Sequence, residues 1–451
     1  MVSKKSLFLL IIFLYLLETN TYAYDFAQDN GYGVTIYYNI INDRELSVTS
    51  GSSSYSGDII IPDVVTYKYK TRKVTYIGNY AFQGCRSLMS VTIPNTVRDI
   101  GYQAFQNCTS LTSVNVPNSV TIISDEAFAH CTNLSSVTIG KNVNRICSCA
   151  FQDCCSLISV AIPQNVTKIE KGAFSGCSSL TSVKIPDSIT RIESHLFSKC
   201  SNLTSIIIPD SVTFIGQSAF AGCSNLISIN IPDCITEIDS YVFQDCSDLA
   251  FITIPCSVTK IGMGAFYGCR NLASITIPNS VTHLADWAFQ GCSGLNFIEI
   301  PNSVTFIAYG VFEGCNSLTS IVLSNNIEYV GEKAFACDNL STIVSMIENP
   351  GKVKCTVSGN IYQNNVFSMN TFKNAILYVP VGSIDKYKNG AGWKCFEHIT
   401  EGLPSGITNT KVANHKEIRR FAIDGHQIET PIKGINIIHM NNGSTRKVYV
   451  K

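Results

Sequence analysis

Phenylalanine stands at positions 82, 105, 128, 151, 174, 197, 220, 243, 266, 289, 312 and 335, a spacing of 23 residues without exception. A single globular core has no use for such regularity. Self-similarity at a fixed period of about 20–50 residues marks a solenoid, in which each unit buries its apolar face only by stacking on the next. The repeat overrides what 451 residues would otherwise suggest, which is several ordinary domains. It also moves the search for function from one enclosed pocket to a surface built of stacked copies.

One copy, residues 274–295, reads SITIPNSVTHLADWAFQGCSGL. The general form is Leu-x-x-Val-x-Ile-Pro-x-x-Val-x-x-Ile-Gly-x-x-Ala-Phe-x-x-Cys. Its first part places apolar residues two apart, as in Val183 and Ile185, which is strand alternation with both side chains inward. Proline follows at 94, 117, 163, 186, 209, 232, 255, 278 and 301. It has no N–H to offer a ladder, so it ends the strand at the same point on each coil. Gly140 and Ser324 stand there in two copies. The second part spaces apolar residues by three, as in Val281 and Leu284, before Ala288 and Phe289. That suits a bent path with a short strand or one helical turn, because a 23-residue coil has no room for a full helix beside a strand and two corners. The predicted fold class is a repeat solenoid, mainly β, of about 12 coils.

Cysteine keeps the same period from Cys85 to Cys315, and Cys337 arrives one residue early. Rungs about 4.8 Å apart lie within disulfide reach, yet a small thiol filling an inward slot is reason enough for the ladder. Cys147, Cys149, Cys154 and Cys155 invite a zinc reading, but Cys154 belongs to the inward ladder, which argues against one site using all four. Cys234 and Cys256 occupy nearly equivalent places on adjacent coils and are a candidate disulfide in an oxidising compartment. Cys355 and Cys395 lie outside the repeat and could staple the C-terminal end.

The two ends differ from the middle. Residues 1–23 carry Lys4 and Lys5, an apolar run from Leu7 to Leu17 and a Thr21-x-Ala23 step, the pattern of a secretory signal peptide. The run is shorter than the ~20 residues a membrane-spanning helix needs, so an anchor is the weaker reading. Residues 24–73 read as an N-terminal cap of two strands and a loop, with the TYKYKTRK insertion forming a hairpin over the first coil. The solenoid is assigned to 74–345 and a C-terminal cap to 346–403, with a strand from Ile376 to Val379, a helix beginning near Ser383, and Trp393 and Phe396 packing back. GLPSGITN reads as a linker. Residues 404–451 finish as a small β tail of three or four strands with turns at Asp424-Gly425 and Asn442-Gly443. From 411 onward the tail holds eight Lys/Arg against three Asp/Glu, within a chain of 33 basic and 33 acidic residues. That overall balance argues against nucleic acid as a partner.

The IPNSVT and AFQGC segments, repeated over twelve units, resemble the BspA-type family of leucine-rich repeat surface proteins. Both flanks resemble bacterial members too, at GDIIIP, LYVPVGSIDKYK and GWKCFEHITEG. DGHQIETPIKGINII and KVYVK are similar to the short C-terminal sorting segments of proteins exported across an outer membrane. The resemblance implies a right-handed leucine-rich repeat solenoid displayed at or beyond the cell surface. It implies members that bind host extracellular-matrix proteins, host cells or other microbes. The chain lacks the asparagine ladder common in leucine-rich repeats, and Cys and Phe take inward positions instead.

No motif for chemistry is present: no G-x-S-x-G elbow, H-E-x-x-H helix or Walker-type loop, and the seven histidines are scattered. The expectation is no enzyme, no cofactor and no metal. Recognition is therefore sought where outward positions depart from their column. The position before the inward strand Val or Ile is usually serine, as at 90, 113, 136, 159, 182, 205, 228, 274 and 320, and Phe251 and Phe297 interrupt it. A second column runs Arg145, Lys168, Arg191, Phe214, Glu237, Lys260, His283, Phe306 and Tyr329. Three consecutive cations predict a local basic strip joined by Phe214, of a composition favoured at protein interfaces. The candidate partner-binding residues are Arg145, Lys168, Arg191, Phe214, Phe251, Phe297 and Phe306. The function these suggest is an adhesin or interaction scaffold. The alternatives are a carbohydrate-capture module using Phe251 and Phe297, and a spacer with no saturable ligand.

Overall fold

The computed structural model describes residues 24–355 and 366–402, and beyond them the backbone of strands between 417 and 450. The signal segment, the linker and the two tail turns lie outside the described residues.

The repeat folds as a mainly β, parallel-stacked solenoid of about 14 turns, against the dozen counted from the regular copies. Each coil has three sides. The first carries strands such as Ser113–Asn115, Ser136–Thr138, Ser159–Ala161 and Ser182–Lys184, paired in parallel with every residue facing its equivalent 23 positions on. All end before the proline step. The second side carries two-residue strands, Asp99–Ile100, Ile122–Ile123, Arg145–Ile146 and Lys168–Ile169, again parallel and in register.

The third side is the Ala-Phe turn, which forms neither helix nor strand. Its backbone still ladders from coil to coil, with the Phe105 N–H donating to the Ala127 carbonyl at 2.7 Å and Phe128 to Ala150 at 2.8 Å. The turn bends through two left-handed residues, two before and two after each phenylalanine from Phe82 to Phe312, and through Lys333 alone beside Phe335. Glycine serves the later position in most copies, as at Gly84, Gly176, Gly222 and Gly268, while Asn107, Asp153 and Asp245 share it and His130 and Lys199 hold it against preference. Glycine, Asn and Asp are the residue types that tolerate positive φ most readily. The earlier position is less orthodox, since Tyr80, Tyr241 and Trp287 hold φ near 60° there.

The inward positions merge into one core from Phe26 to Phe396. The phenylalanines are fully buried and stack with ring centroids 4.8 Å apart at Phe82–Phe105 and 5.9 Å at Phe220–Phe243, within 7° of parallel in both pairs. This is the offset arrangement that aromatic quadrupoles favour. Ladder cysteines fill the slot beside them as thiols. From Cys108 onward each donates backward to a phenylalanine carbonyl, as Cys223 does to Phe197 at 3.1 Å.

The N-terminal segment departs from two strands and a loop. Phe26–Asp29, Thr35–Ile40 and Glu45–Thr49 form an antiparallel meander, with the Asn42 side chain accepting the Arg44 N–H at 2.8 Å in the turn between the second and third strands. Glu45–Thr49 then pairs in parallel with Lys70–Ile77, which pairs with Asp99–Ile100, so the meander extends the solenoid ladder. The TYKYKTRK insertion is a hairpin, Val64–Tyr67 against Lys70–Ile77, with Lys68 and Tyr69 both at positive φ as a two-residue primed turn requires.

At the other end, Ile376–Val379 and His398–Glu401 continue the first ladder past the last regular copy. Helix Ile384–Lys388 follows Ser383. Trp393 and Phe396 are buried against Phe367, Phe372 and Tyr387. The tail backbone forms a four-stranded antiparallel sheet: Glu417–Ala422, Gln427–Ile428, Gly434–Met440 and Thr445–Val450.

Candidate interaction surface

The second-side column exists as a physical row, because in-register pairing places Arg145 beside Lys168, Arg191 beside Phe214, Lys260 beside His283, and His283 beside Phe306. Its charge differs from the predicted basic strip. Arg145 Nε donates to Glu170 at 2.8 Å, Lys168 Nζ lies 2.9 Å from the same carboxylate, and Arg191 Nε reaches Glu193 at 3.0 Å. Three cations therefore meet two carboxylates, and the strip is an ion-paired row. Glu170 and Glu193 stand where the general form of the repeat has glycine after the inward Ile, as at Gly101, Gly216 and Gly262. That is two residues along a strand from Lys168 and Arg191, and hence on the same face. Burial raises the Glu170 pKa, and the Lys168, Arg145 and Ser148 hydrogen bonds outweigh it, leaving the carboxyl below its ordinary value.

Aromatic residues carry the rest of the row. The Arg191 guanidinium sits 3.9 Å from the centre of the Phe214 ring, a cation–π geometry. Further along, the Phe306 ring stacks on Tyr329 with centroids 4.4 Å apart and meets a tilted His283 ring at 5.7 Å, and Phe306 is 36% exposed. On the first side, Phe297 is 38% exposed. Phe251 is half-buried, and Ser228, its register partner, is buried, unlike the other eight serines of that column. These two rings flank Ser274 and do not join the second-side row.

The cysteine expectations resolve differently. Cys234 is a thiol whose Sγ donates to the Val212 carbonyl at 3.0 Å, on the preceding coil, and Cys256 is an exposed thiol. Cys234 takes the slot used by Ser257 in the next copy, so the two cysteines are offset by one position and the bridge is not formed. Cys355 and Cys395 are also separate thiols, and burial pushes Cys355 up to about 11. The four clustered cysteines do not converge: Cys154 donates into the core to Phe128, while Cys155 turns to the Asp153 carbonyl.

Among the described residues one other group has potential ligand atoms mutually within 4.8 Å, Asp125, Cys147 and Glu170. Its donors are already engaged, Glu170 by two cations and Asp125 by the Ser148 N–H at 3.0 Å. Burial, then Glu170 and Asp125, push Cys147 up to about 11. A metal would have to displace Arg145 and Lys168.

The sequence reading missed a groove on the third side. Tyr241, Tyr267, Trp287 and Tyr309 line it together with Gln244, Gln290, Glu313 and Lys333, around a volume of about 530 Å³. The signal was available, since Tyr241 and Trp287 occupy the earlier left-handed slot two residues before the ladder phenylalanine, alternating with Gly264 and Gly310.

A parallel-stacked solenoid with an inward Phe-Cys core and an ornamented exterior defines a leucine-rich repeat protein. The BspA type leucine rich repeat region matches residues 65–181, 146–273 and 236–387. The chain belongs to this family. Its structure resembles a leucine-rich repeat protein from Bacteroides ovatus, 30% identical over 84% of this chain and 100% of that one, with a TM-score of 0.64. A leucine rich cell surface protein from Faecalibacterium prausnitzii is 26% identical over 74% of this chain and 99% of its own, at a TM-score of 0.46. The pneumococcal vaccine antigen PcpA is 17% identical over 84% and 98% of the two chains, at 0.48. No curated protein matches the sequence. Among the described residues no helix is long and apolar enough to cross a membrane.

Proposed function

We propose that this protein is exported and acts at the cell surface as an adhesin or interaction scaffold without a catalytic step, engaging proteins of a host matrix, host cells or other microbes. The observation that carries this reading is the second-side row, in which Arg191–Phe214 and His283–Phe306–Tyr329 present cations and rings that the core does not require. Aromatic and arginine anchors dominate binding energy at protein interfaces. Membership of the BspA-type family supports surface display, and the signal-like start and basic tail are the segments proposed to direct export and sorting.

The ion pairs shape the test. Charge reversal at Arg145, Lys168 and Arg191 would crowd carboxylates beside Glu170 and Glu193, so neutral replacement is the cleaner variant. The purified chain is expected to bind saturably to at least one of immobilised collagen, fibronectin or laminin, or to epithelial cells. Arg145→Gln, Lys168→Gln and Arg191→Gln together are expected to weaken that binding roughly tenfold, about 1.4 kcal/mol. Absence of saturable binding across the panel would favour the spacer reading, and unchanged binding by the triple variant would remove the row from the site.

A further inference from the structure

We propose that the third-side groove between Tyr241 and Tyr309 binds a neutral, linear oligosaccharide, independently of the protein-binding row. The groove is built rather than incidental. The slot two residues before each ladder phenylalanine is left-handed, a conformation that glycine adopts freely and a bulky aromatic residue rarely does. Tyr241 and Trp287 both sit there at φ 58°, and Tyr80, Gln103, Glu126, His195 and Lys333 hold the same slot in other coils, so what sets this groove apart is the glycine that follows each of the two rings.

The coils that follow make room for the rings. A Cβ on Gly264 would lie 2.4 Å from Tyr241 Cε1, and one on Gly310 would lie 2.8 Å from Trp287 Cδ1. Each ring therefore lies over the bare backbone of the next coil. Tyr309 stands edge-on to Trp287, with centroids 5.9 Å apart and planes at 88°, and Tyr267 is 37% exposed beside them.

The chemistry of the lining selects the ligand class. Pyranose rings present a face of C–H bonds, slightly positive at hydrogen, which complements the negative face of Tyr and Trp rings. Gln290 Nε2 donates to Glu313 Oε2 at 2.8 Å, and Lys333 Nζ lies 3.3 Å from Glu313 Oε1. Amide, carboxylate and ammonium thus stand together beside the rings, with Lys333 Nζ over the Tyr309 ring at 5.9 Å from its centre, where sugar hydroxyls could bond to them. The one carboxylate and the one ammonium among the lining residues are paired, so no uncompensated charge favours an acidic polymer.

An extended peptide has less to bind. The backbone N–H groups of Tyr241, Gly264, Trp287 and Gly310 are spent on the next coil, at 2.7, 2.9, 2.9 and 2.9 Å, so strand addition finds no free donors at these positions. Tyr241 and Trp287 are two coils apart, roughly 10 Å at the usual strand spacing, so a chain of sugars spans both platforms where one ring cannot.

The fluorescence of the intact chain tests this directly. It has two tryptophans, and Trp393 is fully buried in the C-terminal cap, so a ligand-induced change reports Trp287. The probes are cellohexaose, laminarihexaose, maltohexaose and mannohexaose, with glucose, mannose and a polyproline peptide as comparisons. At least one hexaose is expected to shift or quench the emission saturably, with affinity at least tenfold above its monosaccharide. Trp287→Ala and Tyr241→Ala, with unchanged circular dichroism, are each expected to lower hexaose affinity at least tenfold by calorimetry. No response to any hexaose at millimolar concentration would overturn the proposal. So would a tighter response to polyproline, or full affinity in the folded Trp287→Ala variant. Should Trp287→Ala fail to fold, the wild-type titration decides alone. Loss of matrix binding in the triple glutamine variant leaves this site untouched, so the two readings fail separately.

Discussion

At the scale of single residues, the inward ladder is an array of near-identical environments, and its chemistry follows from burial. Cys223 and Cys292 are fully buried, and burial pushes both up to about 12 from an ordinary 9.0. The unfolded chain releases these protons near pH 9 and the folded chain near pH 12. The thiols' contribution is therefore complete below pH 9 and is lost as pH rises toward 12, by about 1.4 kcal/mol per pH unit for each such group. Denaturant melts at pH 8, 9.5 and 11 are expected to show a steep fall, and a flat profile would contradict the buried ladder. Alkylation of these thiols is expected to track unfolding, since a protonated, buried thiol is inert. Phe220→Ala removes one ring from the middle of the stack and is expected to cost about 3–5 kcal/mol, measured by thermal or chemical denaturation. Phenylalanine and cysteine were legible in the sequence because each repeats every 23 residues. The candidate disulfide of Cys234 and Cys256 does not form because a shift of one position within a coil redirects the Cys234 Sγ to the preceding coil.

At the scale of elements, each coil is a first strand stopped by proline, a two-residue second strand, and a turn with two left-handed residues. The first two were readable from apolar spacing and from proline, because both follow from where side chains and N–H groups point. The turn was not, because residues from Tyr80 and Gln103 to Trp287 and Lys333 hold a left-handed slot that local preference would give to glycine, and Gly264 and Gly310 show only where the Tyr241 and Trp287 rings find room. The ion-paired row was half legible. The cations formed a visible column, while Glu170 and Glu193 stood two residues away in a position read as structural glycine. Removing that counter-charge tests the row as an element. Glu170→Gln is expected to cost about 1–2 kcal/mol, more than a fully exposed pair, because the Glu170 side chain is only 12% exposed, while freeing Arg145 and Lys168 and steepening the salt dependence of any acidic partner's binding. A large loss of stability would mean that Glu170 organises the coil rather than its surface.

At the scale of the whole molecule, nearest-neighbour stacking makes stability a sum over coils and their interfaces, and the ends decide whether the sum is realised. The N-terminal meander and the buried Trp393–Phe396 cluster cover the two ends. Trp393→Ala is expected to raise hydrogen exchange first in residues 366–402 and then in the last coils, with the coils around Phe128 unaffected; uniform loss of protection would contradict a linear array. This separation of an inward scaffold from an outward surface is the central claim, and one comparison tests it most directly. The intact chain and a variant carrying Phe214→Ser and Phe306→Ser, both on the exposed row, are titrated against the matrix protein that the wild type binds, with melting temperature measured in parallel. The account predicts affinity reduced at least tenfold with a melting temperature changed by no more than a few degrees, as expected for surface positions. Unchanged affinity, or unfolding of the variant, would contradict it.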